Sequence, residues 1–192
     1  MARGIALLGW GSLLWEGAST FDDWHEPWQY DGPCLAMEFT RVSCSRAGAL
    51  TLVIDPDNGV PIEVAWCLSR RQTVAEAIEG LCKREQTTTK HIGRIVADGQ
   101  VQCHDGESRQ AIHTWVEERK LAGVVWTDLR SNFRPKRGEP FSIDAAMRYL
   151  KCLEGESRTK AFEYFQRAPS FVRTPLRDTF NKEIGEIAAS NS

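Results

Sequence analysis

The order of its segments constrains this chain more than any single motif. The first two-thirds reads mainly as β-strands and the last third as helices. Ile5-Ala6-Leu7-Leu8 is a short apolar run ended by Gly9, the pattern of a buried strand that feeds a tight loop. Leu35 to Val42 has strand character after the Asp31-Gly32-Pro33 turn, and Leu50-Thr51-Leu52-Val53-Ile54 is strongly β. Asp55-Pro56-Asp57-Asn58-Gly59 is a turn, because Pro fixes φ and Asn-Gly accepts positive φ. Ile62 to Leu68 reads as the returning strand, which predicts a hairpin with 50–54. Asp98-Gly99 predicts a further hairpin turn, and Ile112 to Val116 and Ala122 to Thr127 read as further strands. In the last third, Ser142 caps a helix through Leu153 closed by Gly155, and a second helix fits Arg158 to Ala168 before Pro169. Thr174-Pro175 opens the last helix, and residues 188–192 are expected to fray. Strands first and helices last predict an α+β fold: a small, mostly antiparallel curved sheet or β-barrel with helices packed outside.

With 192 residues the expectation is one domain spanning 1–192, with a helical portion from about 142. The formal net charge of −2 argues against general capture of nucleic acid, which needs clustered cations. An aromatic content of 9% beside a 42% hydrophobic share argues against disorder. No apolar run reaches the roughly 18–20 residues that span a bilayer. Ile5 to Trp15 follows Arg3, so a signal peptide is weighed. The run is broken by Gly9, Gly11 and Ser12, and Glu16, Asp22 and Asp23 follow in place of a cleavage site, which favours a buried first strand. Six cysteines, at 34, 44, 67, 82, 103 and 152, show neither C-x-x-C nor zinc spacing, which predicts a reduced, cytoplasmic protein with no metal.

Thr73-Val74-Ala75-Glu76 has the form of a capping box, and the helix it opens should run to about Arg84 or Glu85. At about 100° per residue, Val74, Ala77, Ile78, Leu81 and Cys82 share one stripe. Glu85 falls in the middle of that stripe, whereas Glu76, Glu79, Lys83 and Arg84 project elsewhere. A carboxylate on an apolar face takes a raised pKa, a cation or a ligand, and a carboxyl tuned upward suits acid–base chemistry near neutral pH. Alternatively the helix simply ends there, and Glu85 emerges into water or pairs with Arg41, Arg46 or Arg94. Gly9-Trp10-Gly11-Ser12-Leu13 is the second feature. Glycines on both sides of Trp10 allow a sharp turn and close backbone approach to a ligand, and successive amides can form an anion-binding nest. The dinucleotide and Walker fingerprints are both absent, and a plain strand-to-loop turn with a packed Trp is the other reading. His25, His91, His104 and His113 are scattered, without ligand spacing. Trp24 and Trp28 stand at i, i+4 and could form a helical aromatic pair, while Arg134, Lys136 and Arg137 read as solvated surface.

Together these segments resemble the γ-glutamyl cyclotransferase-like superfamily. The Gly9-Trp10-Gly11-Ser12-Leu13 loop is similar to its Y-G-S-L/N loop. Arg41-Val42-Ser43, then Ser45-Arg46, then Leu50-Thr51-Leu52-Val53 resemble the R-x-S…R…L-T-L pattern of the glutathione-specific (ChaC-like) branch. Leu81-Cys82-Lys83-Arg84-Glu85 resembles the L-x-x-R-E segment, whose Glu is that family's acid/base. Order and spacing agree over residues 5–85, and Val124-Val125-Trp126 resembles a later family strand. The chain departs from the pattern in two places. Trp10 stands where the family usually has Tyr, and Gln86-Thr87-Thr88-Thr89 follows Glu85 without the branch's nearby Tyr.

The resemblance implies a small β-barrel surrounded by helices, no cofactor, and a small-molecule γ-glutamyl substrate cleaved to 5-oxoproline and a free amine or amino acid. It implies Glu85 as catalytic residue, with Gly9, Trp10, Gly11, Ser12, Leu13, Arg41 and Arg46 binding substrate. For the two arginines an exposed pair on strand edges is equally open. A small-carboxylate-binding or sensing protein on the same fold, and an interaction protein whose Trp-rich segment 10–28 packs on a partner, are the competing classes. Neither monomer nor homodimer is indicated, and no membrane or nucleic-acid partner is expected.

Overall fold

A computed structural model describes residues 3–17 and 19–190. In chain order the strands are β1 (Arg3–Gly9), β2 (Cys34–Val42), β3 (Leu50–Ile54), β4 (Val60–Glu63), β5 (Ala65–Leu68), β6 (Ile92–Val96), β7 (Val101–Gln102) and β8 (Leu121–Thr127). The helices are α1 (Ser19–Asp22), α2 (Val74–Glu85), α3 (Gly106–Glu118), α4 (Phe133–Arg137), α5 (Ile143–Lys151), α6 (Gly155–Arg167) and α7 (Pro175–Ser190). The fold is α+β, as the segment order predicts. It has two sheets, of orders β5-β1-β8-β6-β7 and β3-β2-β4, and no closed barrel among the described residues. The five-stranded sheet is mixed, because β1 pairs parallel with β8 and antiparallel with β5. The expected barrel therefore gives way to open sheets.

Two compact units make up the chain. One holds the residues up to Leu35 together with Glu63–Leu129, and the other holds Ala36–Ile62 together with Arg130 onward. In the first unit β1 is an inner strand between β5 and β8, and Ala6, Leu7 and Leu8 are all buried, which is why the strand is a continuous apolar run. One face of the sheet carries Ile5, Leu7, Cys67, Ile92 and Val125, which pack with Ala77 and Leu81 of α2. The stripe expected on that helix is therefore its buried side. The other face carries Trp66, which meets Trp115 of α3 edge-on at 5.2 Å. Ile112–Val116, expected as a strand, lies inside α3. Asp105 caps that helix by accepting from the Ser108 amide at 2.6 Å, and Ser108, Ile112, Trp115 and Val116 bury one helical face.

In the second unit Phe39 of β2 stacks on Phe165 at 4.3 Å, and Phe165 contacts Phe180 of α7 at 4.4 Å. The turn at 55–59 forms as expected. The Asp55 carboxylate takes the amides of Asp57 and Asn58, and the Gly59 amide donates to the Asp55 carbonyl at 2.7 Å. The hairpin does not form, because β2 lies between β3 and β4. A Cβ at Gly59 would meet the β2 backbone at Ala36 and Met37 at 2.6 Å, so this glycine lets the turn press onto β2. The expected returning strand, Ile62–Leu68, divides at Val64 into β4 and β5, and β5 pairs with β1.

Ser142 caps α5 through the Ala145 amide, but α5 stops at Lys151, short of the expected Leu153. Gly155, with φ +51°, opens α6 three residues before the expected start. Thr174 accepts from the Arg177 amide at the start of α7, as the Thr-Pro signal predicts. Of the tail expected to fray, Asn191 and Ser192 lie outside the described residues. Trp24 and Trp28 form no helical pair. Trp24 lies in the turn after α1 under the Arg71 guanidinium at 3.7 Å, and Trp28 packs on the His25 ring at 5.0 Å. All six cysteines are free thiols, and no helix among the described residues is long and apolar enough to cross a membrane.

Candidate functional site

Strand β1 ends where Trp28 closes on it. A Cβ at Gly9 would sit 2.6 Å from the Trp28 ring, so only glycine permits that approach. Trp10 is extended, and Gly11, at φ +60°, turns the chain into a single 3₁₀ turn over Gly11–Leu14. The left-handed backbone at Gly11 costs a residue with a Cβ about 1–2 kcal/mol. The first amides of such a turn, those of Gly11 and Ser12, have no acceptor within it. The Ser12 carbonyl is heavily used, accepting from the Trp15 amide at 3.2 Å and the Glu16 amide at 2.9 Å.

Helix α2 comes to this loop through Arg84. Its capping box is complete. The Thr73 hydroxyl accepts from the Glu76 amide at 3.2 Å, and the Glu76 carboxylate takes the Thr73 amide at 3.0 Å. The Thr73 hydroxyl also donates to the Glu76 carboxylate at 2.9 Å, and this bond is the main cause holding the Glu76 carboxyl below its ordinary range. The helix ends at Glu85, and Gln86 in the left-handed region closes it. Arg84, expected to project away from the core, turns inward. Its side chain is 11% exposed, and Nη2 donates to the carbonyls of Ser12 at 3.2 Å and Glu16 at 2.8 Å. A long flexible stem can bury its length while its fork reaches carbonyls beyond the helix's own stripe, which helical projection alone does not capture.

Glu85 is 21% exposed, and its Oε1 lies 3.4 Å from Arg84 Nη1. It is thus partly buried at the end of the apolar stripe, and the cation beside it is its own neighbour. Arg94 instead donates to Gln102 Oε1 at 2.8 Å. Glu85 and the Ser12 carbonyl are therefore held by one planar guanidinium. Beside Arg84 lies a cavity of about 330 Å³ walled by Glu16, Phe21, Trp24, Lys83, Arg84 and Gln86, and Glu85 is not on its wall.

Arg41 and Arg46 belong to the second unit. Arg41, on β2, donates to the Arg130 carbonyl at 2.8 Å, and burial draws its pKa down. Arg46 lies over the Tyr164 ring at 5.1 Å. Both are half-buried, which differs from the exposed pair considered from the sequence.

The histidines hold one arrangement that their spacing in sequence concealed. The Asp128 carboxylate takes His104 Nδ1 at 2.6 Å, the His104 amide at 2.9 Å and Trp126 Nε1 at 3.0 Å. Val125 faces α2, so Trp126 and the Asp128 group bonded to it lie on the opposite sheet face. The pair ties the segment before α3 to the end of β8, away from the Glu85 side. Among the described residues no cluster of three or more His, Cys, Asp or Glu could hold a metal. Comparisons with protein-family models, curated proteins and solved structures find no match to this chain.

Proposed function

We propose that this chain is a γ-glutamyl cyclotransferase-type enzyme of the superfamily that its motifs resemble, with Glu85 as its acid/base. The observation that supports this reading most directly is the Arg84 guanidinium, which joins the Glu85 carboxylate to the Ser12 carbonyl of the glycine loop and to the Glu16 carbonyl just after it. Two motifs whose bonded residues, Ser12 and Arg84, lie 72 residues apart in sequence are thereby adjacent in one unit.

In the proposed reaction the substrate's α-amine attacks its own γ-carbonyl. Because the nucleophile is intramolecular, holding the chain folded lowers much of the barrier. Glu85 takes the proton from the attacking amine, and the γ-carbonyl carbon becomes tetrahedral. The same carboxyl then returns the proton to the leaving nitrogen as the carbon–nitrogen bond breaks. 5-Oxoproline and a free amine, amino acid or peptide leave. Loop amides from Trp10 to Leu13 hold the substrate's carboxylate or the developing oxyanion.

A panel of γ-glutamyl amino acids, peptides and amines, scored for 5-oxoproline release, tests the proposal. Wild-type protein is expected to turn over at least one of them. Glu85→Gln is expected to fold and lose on the order of 10²-fold or more of that activity, the usual scale of acid–base catalysis. Undiminished turnover in the Gln variant removes Glu85 from the chemistry. The cavity walled by Lys83 and Arg84 but not by Glu85 favours a second reading, a binding or sensing protein for small carboxylates on the same fold. Thermal stabilisation by 5-oxoproline with no turnover of any panel member supports that second reading.

A further inference from the structure

Glu38 has no exposed surface, yet no cation among the described residues pairs with it. It sits on β2 where the ladder with β3 slips by one residue between Glu38 and Arg41. Such a bulge takes an amide out of the ladder, and the freed Phe39 amide donates to Glu38 Oε1 at 2.7 Å. The other oxygen reaches 138 residues along the chain, where the Leu176 amide in the first turn of α7 donates to Oε2 at 3.3 Å. The Thr174 hydroxyl bonds to the same carboxyl, and Thr174 and Leu176 are fully buried. Glu38 is therefore the polar contact between the strand and the start of the C-terminal helix.

Two influences compete over its proton. A helix N-terminus, two amides and a hydroxyl favour the charge. Burial opposes it, and Asp55, in the turn after β3, adds a like charge. Arg177 offers no relief, because its guanidinium is committed to the carbonyls of Ala168, Pro169 and Val172 at the end of α6. Burial is the largest influence, and the carboxyl is held above the ordinary carboxylate range.

We propose that Glu38 is a proton-operated latch: protonated, it docks the first turn of α7 on β2, and ionised, it loosens that turn and bares Leu176 and Phe180. The docked form holds the additional proton, so docking is strongest at low pH and is lost as pH rises. Between the undocked and docked titration points the docking equilibrium weakens about tenfold per pH unit, and it levels off above.

The test follows two readouts in the whole protein, from the ordinary carboxylate region into mildly alkaline solution. One is the Glu38 side-chain carboxyl carbon, by ¹³C NMR. The other is amide-exchange protection at Leu176–Phe180, corrected for intrinsic rates, with β8 amides as an internal reference. The two curves are expected to move together in the wild type, with β8 unmoved. In Glu38→Gln, which keeps an acceptor oxygen but cannot ionise, the α7 protection is expected to be flat. An equal slope in the Gln variant overturns the latch. So does a Glu38 that titrates while α7 protection stays constant, or one that does not titrate over the range. If the Gln variant does not fold, coincidence of the two wild-type curves decides alone.

Discussion

Arg84 is the residue on which the candidate site turns. Its fork takes two backbone carbonyls and touches Glu85, with geometry that an ammonium cannot reproduce from a single point charge. Arg84→Lys keeps the charge but leaves a largely buried carbonyl short of a donor. It is expected to cost about 1–3 kcal/mol, measured by chemical denaturation. If the loop serves substrate binding, the same variant raises KM on a panel substrate as the 3₁₀ turn shifts. An unchanged unfolding midpoint would show that the bonds to Ser12 and Glu16 carry no weight. Gly9 and Gly11 act at the same scale for different reasons, the first for space under Trp28 and the second for its positive φ.

Helix α2 presents Glu85 only if its first turn is held. Thr73 and Glu76 satisfy each other's backbone amides, and the apolar stripe then seats the helix on the sheet. Thr73→Ala removes one half of the box and is expected to destabilise the first unit by about 1 kcal/mol, read as a lower thermal midpoint. The Glu76 half follows pH. Its carboxyl is held low in the folded state, so the contribution is present above the ordinary carboxylate range and fades as pH falls through its lowered titration point. A cap that weakens instead with rising pH would contradict this.

At the scale of the molecule, each unit is assembled from two stretches of chain, and neither is contiguous. The helices of the second unit close on a strand from the first third of the sequence, through Phe39 against Phe165 and Tyr164. A fragment of residues 130–192 therefore lacks the aromatic partner at its centre. It is expected to show partial helix by circular dichroism without a cooperative thermal transition, and a sharp transition in that fragment would count against the division. If Glu38 latches α7, the stability of this unit falls as pH rises, opposite in sign to the Glu76 cap of the first.

Much of the structure that rests on bonds within about four residues was legible in the chain alone, though α3 with its local Asp105 cap was read as a strand at 112–116. The capping box at Thr73, the span of α2, the Asp55 turn, the Ser142 and Thr174 caps and the stop at Gly9 are all of this kind, because each donor and acceptor pair is adjacent in sequence. What lay beyond that range was decided only in three dimensions. The insertion of β2 between β3 and β4, the parallel pairing of β1 with β8, the inward turn of Arg84 and the burial of Glu38 depend on partners far along the chain. Periodicity can mark a face of an element as apolar. It cannot say which distant carbonyl or amide will meet a polar atom there, because that is set by packing and the desolvation it imposes.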